Sequence, residues 1–345
     1  MGWGGARIGG VHFHTSPPAG LRADVALPSP LTEIEDDRFS RRGVRLALKR
    51  DDLIHPDLPG NKWRKLLPNL EAAAEGGHRG LLTFGGAYSN HLRATAAAGR
   101  LLGMQTVGVV RGEELADRPL NPSLARCVAD GMRLHFVSRA DYRRRADPEW
   151  TEAVRERLAL GDLMTVPEGG SNAAAVRGCT ELGRELRGRT DIAAVACGTG
   201  GTLAGLAAGL AGGGGETGGG ARALGVPVLR GGFLPEEVRR LQVAAFGGPR
   251  GVWRTADRFH FGGFARTSAE LDDFAEDFAG RHGLPALDRV YVAKLLFGLC
   301  ALAEEGAFAS GSTVTAVLTA TAFGTGEGSG DRLPGRDRAG NDHAG

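Results

Sequence analysis

Cysteine is scarce in this chain. Four residues in 345 (Cys127, Cys179, Cys197 and Cys300) are too few and too scattered for a disulfide framework. No two of them stand at a CxxC or CxxxxC spacing, which disfavours a structural zinc site as well. The nine histidines contain one close pair, His12 and His14, which reads as packing or solvent-facing rather than metal-binding, so no metal is expected. Net charge is nearly absent, at +2 from 42 Lys+Arg against 40 Asp+Glu, and gives no reason to expect nucleic acid as a partner. No stretch approaches the ~18 apolar residues of a membrane span. The opening MGWGGARIGGVHFH lacks the apolar centre of a secretion signal, so neither membrane nor export is expected and the cytoplasm is the expected location.

Glycine, by contrast, is abundant: 56 of 345 residues, about twice the usual ~7%. No three-residue period runs through these glycines, which excludes collagen, and long apolar-periodic segments exclude wholesale disorder. Much of the surplus falls in GGGGETGGG (212–220), read as a flexible surface loop, and in the polar segment 324–345, read as a disordered tail. The glycines elsewhere are the informative ones.

Length suggests about two domains at roughly 150 residues each. Short β-rich runs at 45–49, 80–84, 105–110, 134–137, 163–166, 192–196, 224–227 and 313–318 alternate with helical stretches at 65–75, 90–102, 172–186, 202–210, 235–246, 268–281 and 290–305. That alternation predicts an α/β chain with parallel sheets flanked by helices on both faces, joined by right-handed crossovers. With so many strands, two sheets are expected rather than one.

Three glycine-marked turns carry candidate chemistry. CGTGGTLAG (197–205) follows an apolar strand and opens an Ala/Leu helix, where backbone amides and the helix dipole can meet an anion such as phosphate. A tight turn without a ligand would look the same. No Lys-Ser/Thr follows as in a P-loop, and no acidic residue follows as in a dinucleotide fingerprint. GGAYSNH (85–91) again lies between strand and helix. Ser89 or Asn90 can cap that helix, yet one cap suffices, and two adjacent polar side chains after Gly-Gly suit the ligand edge of a parallel sheet. GNKWRKL (60–66) places Lys62 at a turn before a helix, with Arg64 and Lys65 close by. Neighbouring cations depress an amine's pKa and make it more nucleophilic. An amine, a Ser-Asn pair and a phosphate turn together suggest a phosphorylated aldehyde cofactor, pyridoxal phosphate. The basic run Arg143–Arg145 in DYRRRADPEW reads as a solvated helix face.

In order along the chain stand LPSPLTEI (27–34), KRDDL (49–53), GNKWRKL, GGAYSNH, PEGGSN (167–172), CGTGGTLAG and HFGGFARTSAEL (260–271). This series resembles the 1-aminocyclopropane-1-carboxylate deaminase/D-cysteine desulfhydrase family of pyridoxal-phosphate enzymes, with the tryptophan-synthase-β-like fold, over about 27–318. The resemblance implies that 1–64 and 169–323 form a large cofactor-binding domain and 65–168 a small inserted α/β domain. It implies that Lys62 bonds to the cofactor aldehyde and that Asn90 hydrogen-bonds its phenolic oxygen. Ser89 would contact the substrate carboxylate or move a proton. Thr199, Gly200, Gly201 and Thr202 would hold the phosphate, with Lys65, and Tyr291 would lie against the pyridine ring. A homodimer acting on a small amino acid is implied too.

The chain also departs from that family. VYVAK places Val292 where the resemblance puts a polar partner of the pyridine nitrogen, Phe264 stands where a second tyrosine is common, LTATAFG (318–324) replaces an HTGG-like turn, and His91 replaces a glutamine. A weaker electron sink disfavours opening a cyclopropane ring more than it disfavours losing a thiolate. The expected activity is therefore a deaminating lyase of D-cysteine desulfhydrase type, giving a 2-oxo acid and ammonia. The alternatives are 1-aminocyclopropane-1-carboxylate deaminase and a cofactor-binding homologue with weak or no catalysis. Lyase and hydrolase are the enzyme classes this implies, within amino-acid metabolism.

Overall fold

The structure, a computed structural model, describes Leu21 and residues 25–58, 60–212 and 220–320. His12, His14, the core of the 212–220 segment, residues 321–324 of LTATAFG and the segment 324–345 lie outside the described residues.

Among the described residues ten strands form two sheets. They are β1 (Leu31–Ile34), β2 (Arg45–Lys49), β3 (Gly80–Gly85), β4 (Gln105–Arg111), β5 (Met132–Val137), β6 (Leu163–Thr165), β7 (Ile192–Cys197), β8 (Arg222–Pro227), β9 (Trp253–Thr255) and β10 (Thr313–Val317). The larger sheet runs β1-β2-β10-β7-β8-β9 and the smaller β5-β4-β3-β6. Every pairing is parallel except that of β1 with β2. In register, Val314 stands between Leu46 and Ile192.

Why β7 lies mid-sheet follows from its sequence. Ile192, Ala194 and Ala196 turn toward one apolar cluster, with Phe278, Leu295 and Leu299. Ala193, Val195 and Cys197 turn toward another, with Leu203, Leu206 and Val238. Successive side chains of a strand point to opposite faces, so an unbroken apolar run is buried on both. Each Leu or Val so removed from water contributes about 1.5–3 kcal/mol. In the smaller sheet Leu82, Phe84, Val107 and Val109 pack with Trp150 and Val154, while Leu81 joins Trp63 and Leu66.

The eight strands expected from sequence are all present, within two residues of the expected ends. β1 and β9 were not expected. β1 is four residues with Thr32 and Glu33 at its centre, and only its pairing with β2 makes it a strand. The expected helix at 172–186 is instead two, Ala173–Gly178 and Thr180–Leu186. A Cβ on Gly178 would lie 2.2 Å from the Arg64 carbonyl oxygen, so the break sits where this backbone meets the helix Asn61–Glu75. Helices Pro122–Ala129 and Pro148–Arg157 were also missed, although Asn121-Pro122 and Asp147-Pro148 each give a capping side chain followed by proline at the first helical position.

Candidate active site

The segments that follow the carboxyl ends of β3, β4, β5, β6, β7 and β8 line one cavity of about 570 Å³. This is the edge where parallel α/β sheets take ligands. Most residues expected from sequence meet there: Lys62, Lys65, Ser89, Asn90, Thr199, Gly200, Thr202 and Tyr291. Gly201 adjoins the same wall from the first helical turn.

Lys62 lies in the first turn of helix Asn61–Glu75, not in a turn before it. The helix starts there because Gly60 precedes it at φ +75°, and a Cβ on Gly60 would lie 1.6 Å from the Thr319 carbonyl oxygen. No other residue fits that contact. Lys62 Nζ donates to Asn61 Oδ1 at 3.0 Å, and Asn61 Nδ2 donates to Thr202 Oγ1 at 2.8 Å. A hydrogen-bonded chain thus ties the amine to the glycine turn. Burial, and next the neighbouring Lys65 charge, lower the Lys62 pKa to about 7. The cationic crowding inferred from sequence is therefore secondary to desolvation. Arg64 does not share in it, being paired with Asp51 at 2.8 Å and Glu185 at 2.9 Å.

β7 ends at Cys197, Gly200 takes φ +78°, and the buried helix Gly201–Leu210 begins. Its first N–H groups have no intrahelical acceptor, and Gly200 and Thr202 at this end line the cavity. Lys65 Nζ donates to Ser171 Oγ at 2.8 Å and to the Gly169 carbonyl at 3.3 Å, and Ser171 Oγ lies 2.5 Å from Thr199 Oγ1. A Cβ on Gly201 would fall 2.7 Å from Ser171 Oγ and 3.3 Å from Lys65 Nζ.

Tyr291 precedes helix Val292–Glu304 and meets Phe264 edge-on, ring centroids 6.1 Å apart. Burial raises its phenol pKa, so the hydroxyl keeps its proton. Val292 departs from the sequence expectation. It is fully buried in the apolar cluster of the larger sheet and does not line the cavity, because the helix it opens turns its side chain into the core. The electron-sink argument built on Val292 therefore loses its footing.

On the smaller-sheet side, Ser89 caps helix Asn90–Leu102 by accepting from Leu92 N at 3.2 Å, which leaves its hydroxyl proton free to donate. Asn90 Oδ1 accepts from Arg93, which aims the Asn90 amide N–H groups elsewhere. Tyr88, within the same motif, is 47% exposed and outside the cavity lining. His91 Nε2 lies 2.8 Å from Thr83 Oγ1, whose own proton goes to the Val166 carbonyl. Thr83 must then accept, so His91 carries its proton on Nε2 and Nδ1 is a bare acceptor. Nδ1 is buried without a partner among the described residues, and burial followed by Lys62 and Lys65 holds the ring neutral.

Sequence reasoning missed several lining residues: Arg111, Arg139, Tyr142, Arg143, Arg145 and Glu168. The run 143–145 is a turn after the single helical turn Arg139–Tyr142 rather than a helix face. Arg143 and Arg144 are exposed as expected, but Arg143 and Arg145 also border the cavity, where Arg145 Nε donates to Glu168 Oε2 at 2.6 Å and Arg145 Cζ lies 5.0 Å over the Tyr142 ring. The Asp147-Pro148 helix start was the available signal, since it places these arginines in the loop before a helix.

The residues fit a phosphorylated aldehyde. A half-buried amine with a pKa near 7 is substantially neutral at physiological pH and can bond to an aldehyde carbon. Glycines at 169, 198 and 201 leave a cradle that side chains would crowd against Thr199, Tyr291 and Ser171. Lys65 and a helix N-terminus offer a phosphate its hydrogen-bond donors and electrostatic attraction.

Comparison with known proteins gives the family and the fold. A family model described as "Pyridoxal-phosphate dependent enzyme" matches residues 24–320. The chain is 33% identical over 181 residues to the mitochondrial bifunctional D-cysteine desulfhydrase/1-aminocyclopropane-1-carboxylate deaminase of Arabidopsis thaliana, covering 48% of this chain and 45% of that protein. It is 34% identical over 198 residues to a putative 1-aminocyclopropane-1-carboxylate deaminase of Thermotoga maritima, covering 55% of this chain and 62% of the relative. The matches thus span less than two thirds of either relative's length. A crystal structure of an "ACC deaminase homologue" superposes with a TM-score of 0.72 at 25% identity, covering 86% of this chain and 90% of that one. The expected fold class holds. Lyase and deaminase are the classes these matches carry, which corrects the hydrolase half of the sequence reading.

Proposed function

From the chain's membership of the pyridoxal-phosphate dependent enzyme family, we propose that it is a deaminating lyase of D-cysteine desulfhydrase type, which releases a β-substituent from a small amino acid and yields a 2-oxo acid and ammonia. The observation that carries this reading is the chain from Lys62 Nζ through Asn61 to Thr202, which sets a neutral amine beside an anion cradle. When bound, pyridoxal phosphate supplies the electron sink that makes the α-carbon acidic.

The chain's own residues divide the remaining work. Lys62, Lys65, Asn90, Thr199, Gly200, Gly201 and Thr202 hold the cofactor, with the last four at its phosphate. Lys62 Nζ, once free, takes the α-proton, since its pKa near 7 suits a general base at neutral pH. Ser89 is poorly placed for that task. A hydroxyl removes a proton only if something removes its own, and among the described residues no basic side chain is bonded to Ser89 Oγ. Its free O–H suits a substrate carboxylate, beside the N-terminus of helix Asn90–Leu102. Asn90, its carbonyl committed to Arg93, offers N–H groups to the cofactor's phenolic oxygen. Tyr291 stays protonated and can donate a hydrogen bond or a proton.

Phe264 favours elimination over cyclopropane opening. It lines the cavity with a ring that carries no hydroxyl, so one acid-base group fewer faces a carbon leaving group. A thiolate needs none. Pyruvate from D-cysteine, measured against 2-oxobutyrate from 1-aminocyclopropane-1-carboxylate, tests the choice, with the first expected to exceed the second. The holoenzyme should absorb at about 410–430 nm, and Lys62→Ala should abolish that band. A band that survives the substitution rejects the assignment of Lys62.

A cytoplasmic homodimer belongs to the same proposal. Four free, buried cysteines accord with a reducing compartment, and among the described residues no helix is long and apolar enough to cross a membrane. Sedimentation of the purified chain measures the oligomeric state.

A further inference from the structure

The cavity has two unlike walls. One holds Lys62, Lys65 and the 198–202 turn. The other, hung from the carboxyl ends of β4 and β5, presents Arg111, Arg139, Arg143 and Arg145. Two of these four are already matched. Arg145 Nε pairs with Glu168 at 2.6 Å, where Tyr142 also donates at 2.7 Å, and Arg139 pairs with Glu114 at 2.6 Å. Arg111 and Arg143 have no carboxylate within ion-pair distance among the described residues, and Glu168 is the one carboxylate in the lining. Arg111 reaches the Ser89 turn: a Cβ on Gly86 would lie 3.8 Å from its Nη2.

Cations gathered in one cleft repel each other unless an anion joins them. The phosphate cradle is built of Lys65, Ser171 and the 199–202 turn, and neither Arg111 nor Arg143 is among its hydrogen-bond partners, so a cofactor phosphate seated there is not taken as their counter-ion. A guanidinium presents a planar fork that matches a tetrahedral oxyanion bidentately. We propose that Arg111 and Arg143 form a seat for a second substrate anion, so that the enzyme prefers small amino acids whose β-substituent is a phosphate or sulfate ester. This rests on the elimination reading above and names the substrate class of that same cavity. For a serine phosphate, the Cα–H bond breaks and its proton passes to Lys62. The freed electron pair forms the Cα=Cβ bond, and the Cβ–O bond breaks, with phosphate leaving on its own pair. Water then hydrolyses the enamine to pyruvate and ammonia.

The test compares kcat/KM of the holoenzyme for O-phospho-D-serine, O-phospho-L-serine and D-cysteine, in wild type and in Arg111→Met, Arg143→Met and Arg144→Met. Arg144 pairs with Asp147 outside the cavity and controls for the loss of a nearby charge. The expected result is phosphate release by the wild type from one phosphoserine enantiomer. Arg111→Met and Arg143→Met should lower kcat/KM for that enantiomer on the order of 10–100-fold, at least tenfold more than for D-cysteine, while Arg144→Met leaves the ratio in place. Equal losses for phosphoserine and D-cysteine overturn the inference, because the arginines would then serve the α-carboxylate common to both. Wild type that consumes D-cysteine but releases no phosphate overturns it alone. A holoenzyme that consumes none of these amino acids overturns the elimination reading and this inference with it.

Discussion

The two walls of the cavity hold charge in opposite ways. On the larger-sheet side the cationic elements are buried: Lys65 is 3% exposed, the helix Gly201–Leu210 is enclosed, and glycines make the shape. On the smaller-sheet side Arg111, at the end of β4, and Arg139 and Arg143, in the segment after β5, are exposed side chains. Burial fixes position and shifts ionisation, which suits a group that stays bound. Exposed arginines keep conformational freedom, which suits a group that comes and goes. The difference teaches which wall tolerates change.

Removing the amine breaks the first wall outright. Lys62→Ala should cut turnover roughly 10³-fold or more, read as 2-oxo acid formed by protein whose circular dichroism matches the wild type. Filling the cradle acts next. Gly201→Ala sets a methyl 2.7 Å from Ser171 Oγ. Such overpacking costs about 1–3 kcal/mol, so a pyridoxal phosphate titration should show binding roughly 5- to 150-fold weaker.

The second wall should respond more mildly and in the opposite sense. Glu168→Gln removes the lining carboxylate and releases Arg145. KM for an anionic amino acid should fall about 3- to 10-fold, and the gain should shrink in high salt. A rise in KM would mean that Glu168 holds Arg145 in its working position.

The smallest effect concerns stability without cofactor. The folded-state pKa of Lys62 is about 7, below its unfolded value. Between those values the unfolded chain binds more protons, so this group makes stability rise with pH across that window. Below about pH 7 the folded protein carries this charge on a poorly solvated amine. Lys62→Met should therefore melt higher than wild-type apoprotein at pH 6, and the gap should narrow by pH 9. For the same reason, capture of pyridoxal phosphate by the apoprotein should slow as pH falls through 7, followed at the visible band.

Legibility from sequence followed the same division. The helix Asn90–Leu102 and the strand β2 have the ends expected from sequence, because a cap, a glycine stop and apolar periodicity act locally. The first wall was legible too, since glycine turns between strand and helix leave a spacing in the chain. The second wall was not. Arg111 ends one strand, Arg143 follows another and Glu168 a third, and nothing in a linear pattern says that three strand ends share one cleft. Val292 shows the reverse error: it adjoins a site residue in sequence, yet the first helical turn sends it into the core.

The order and spacing of the motifs by themselves determined the α/β class, the strand-turn-helix units and the amine, hydroxyl and glycines of the cofactor side, because each depends on backbone preferences within a few residues. Only the tertiary structure decided that burial rather than cationic crowding sets the Lys62 amine near neutrality, and that Arg111 at the end of β4 and three arginines from the segment after β5 border the same cavity. Desolvation and convergence are properties of packing, and packing joins residues that the chain keeps far apart.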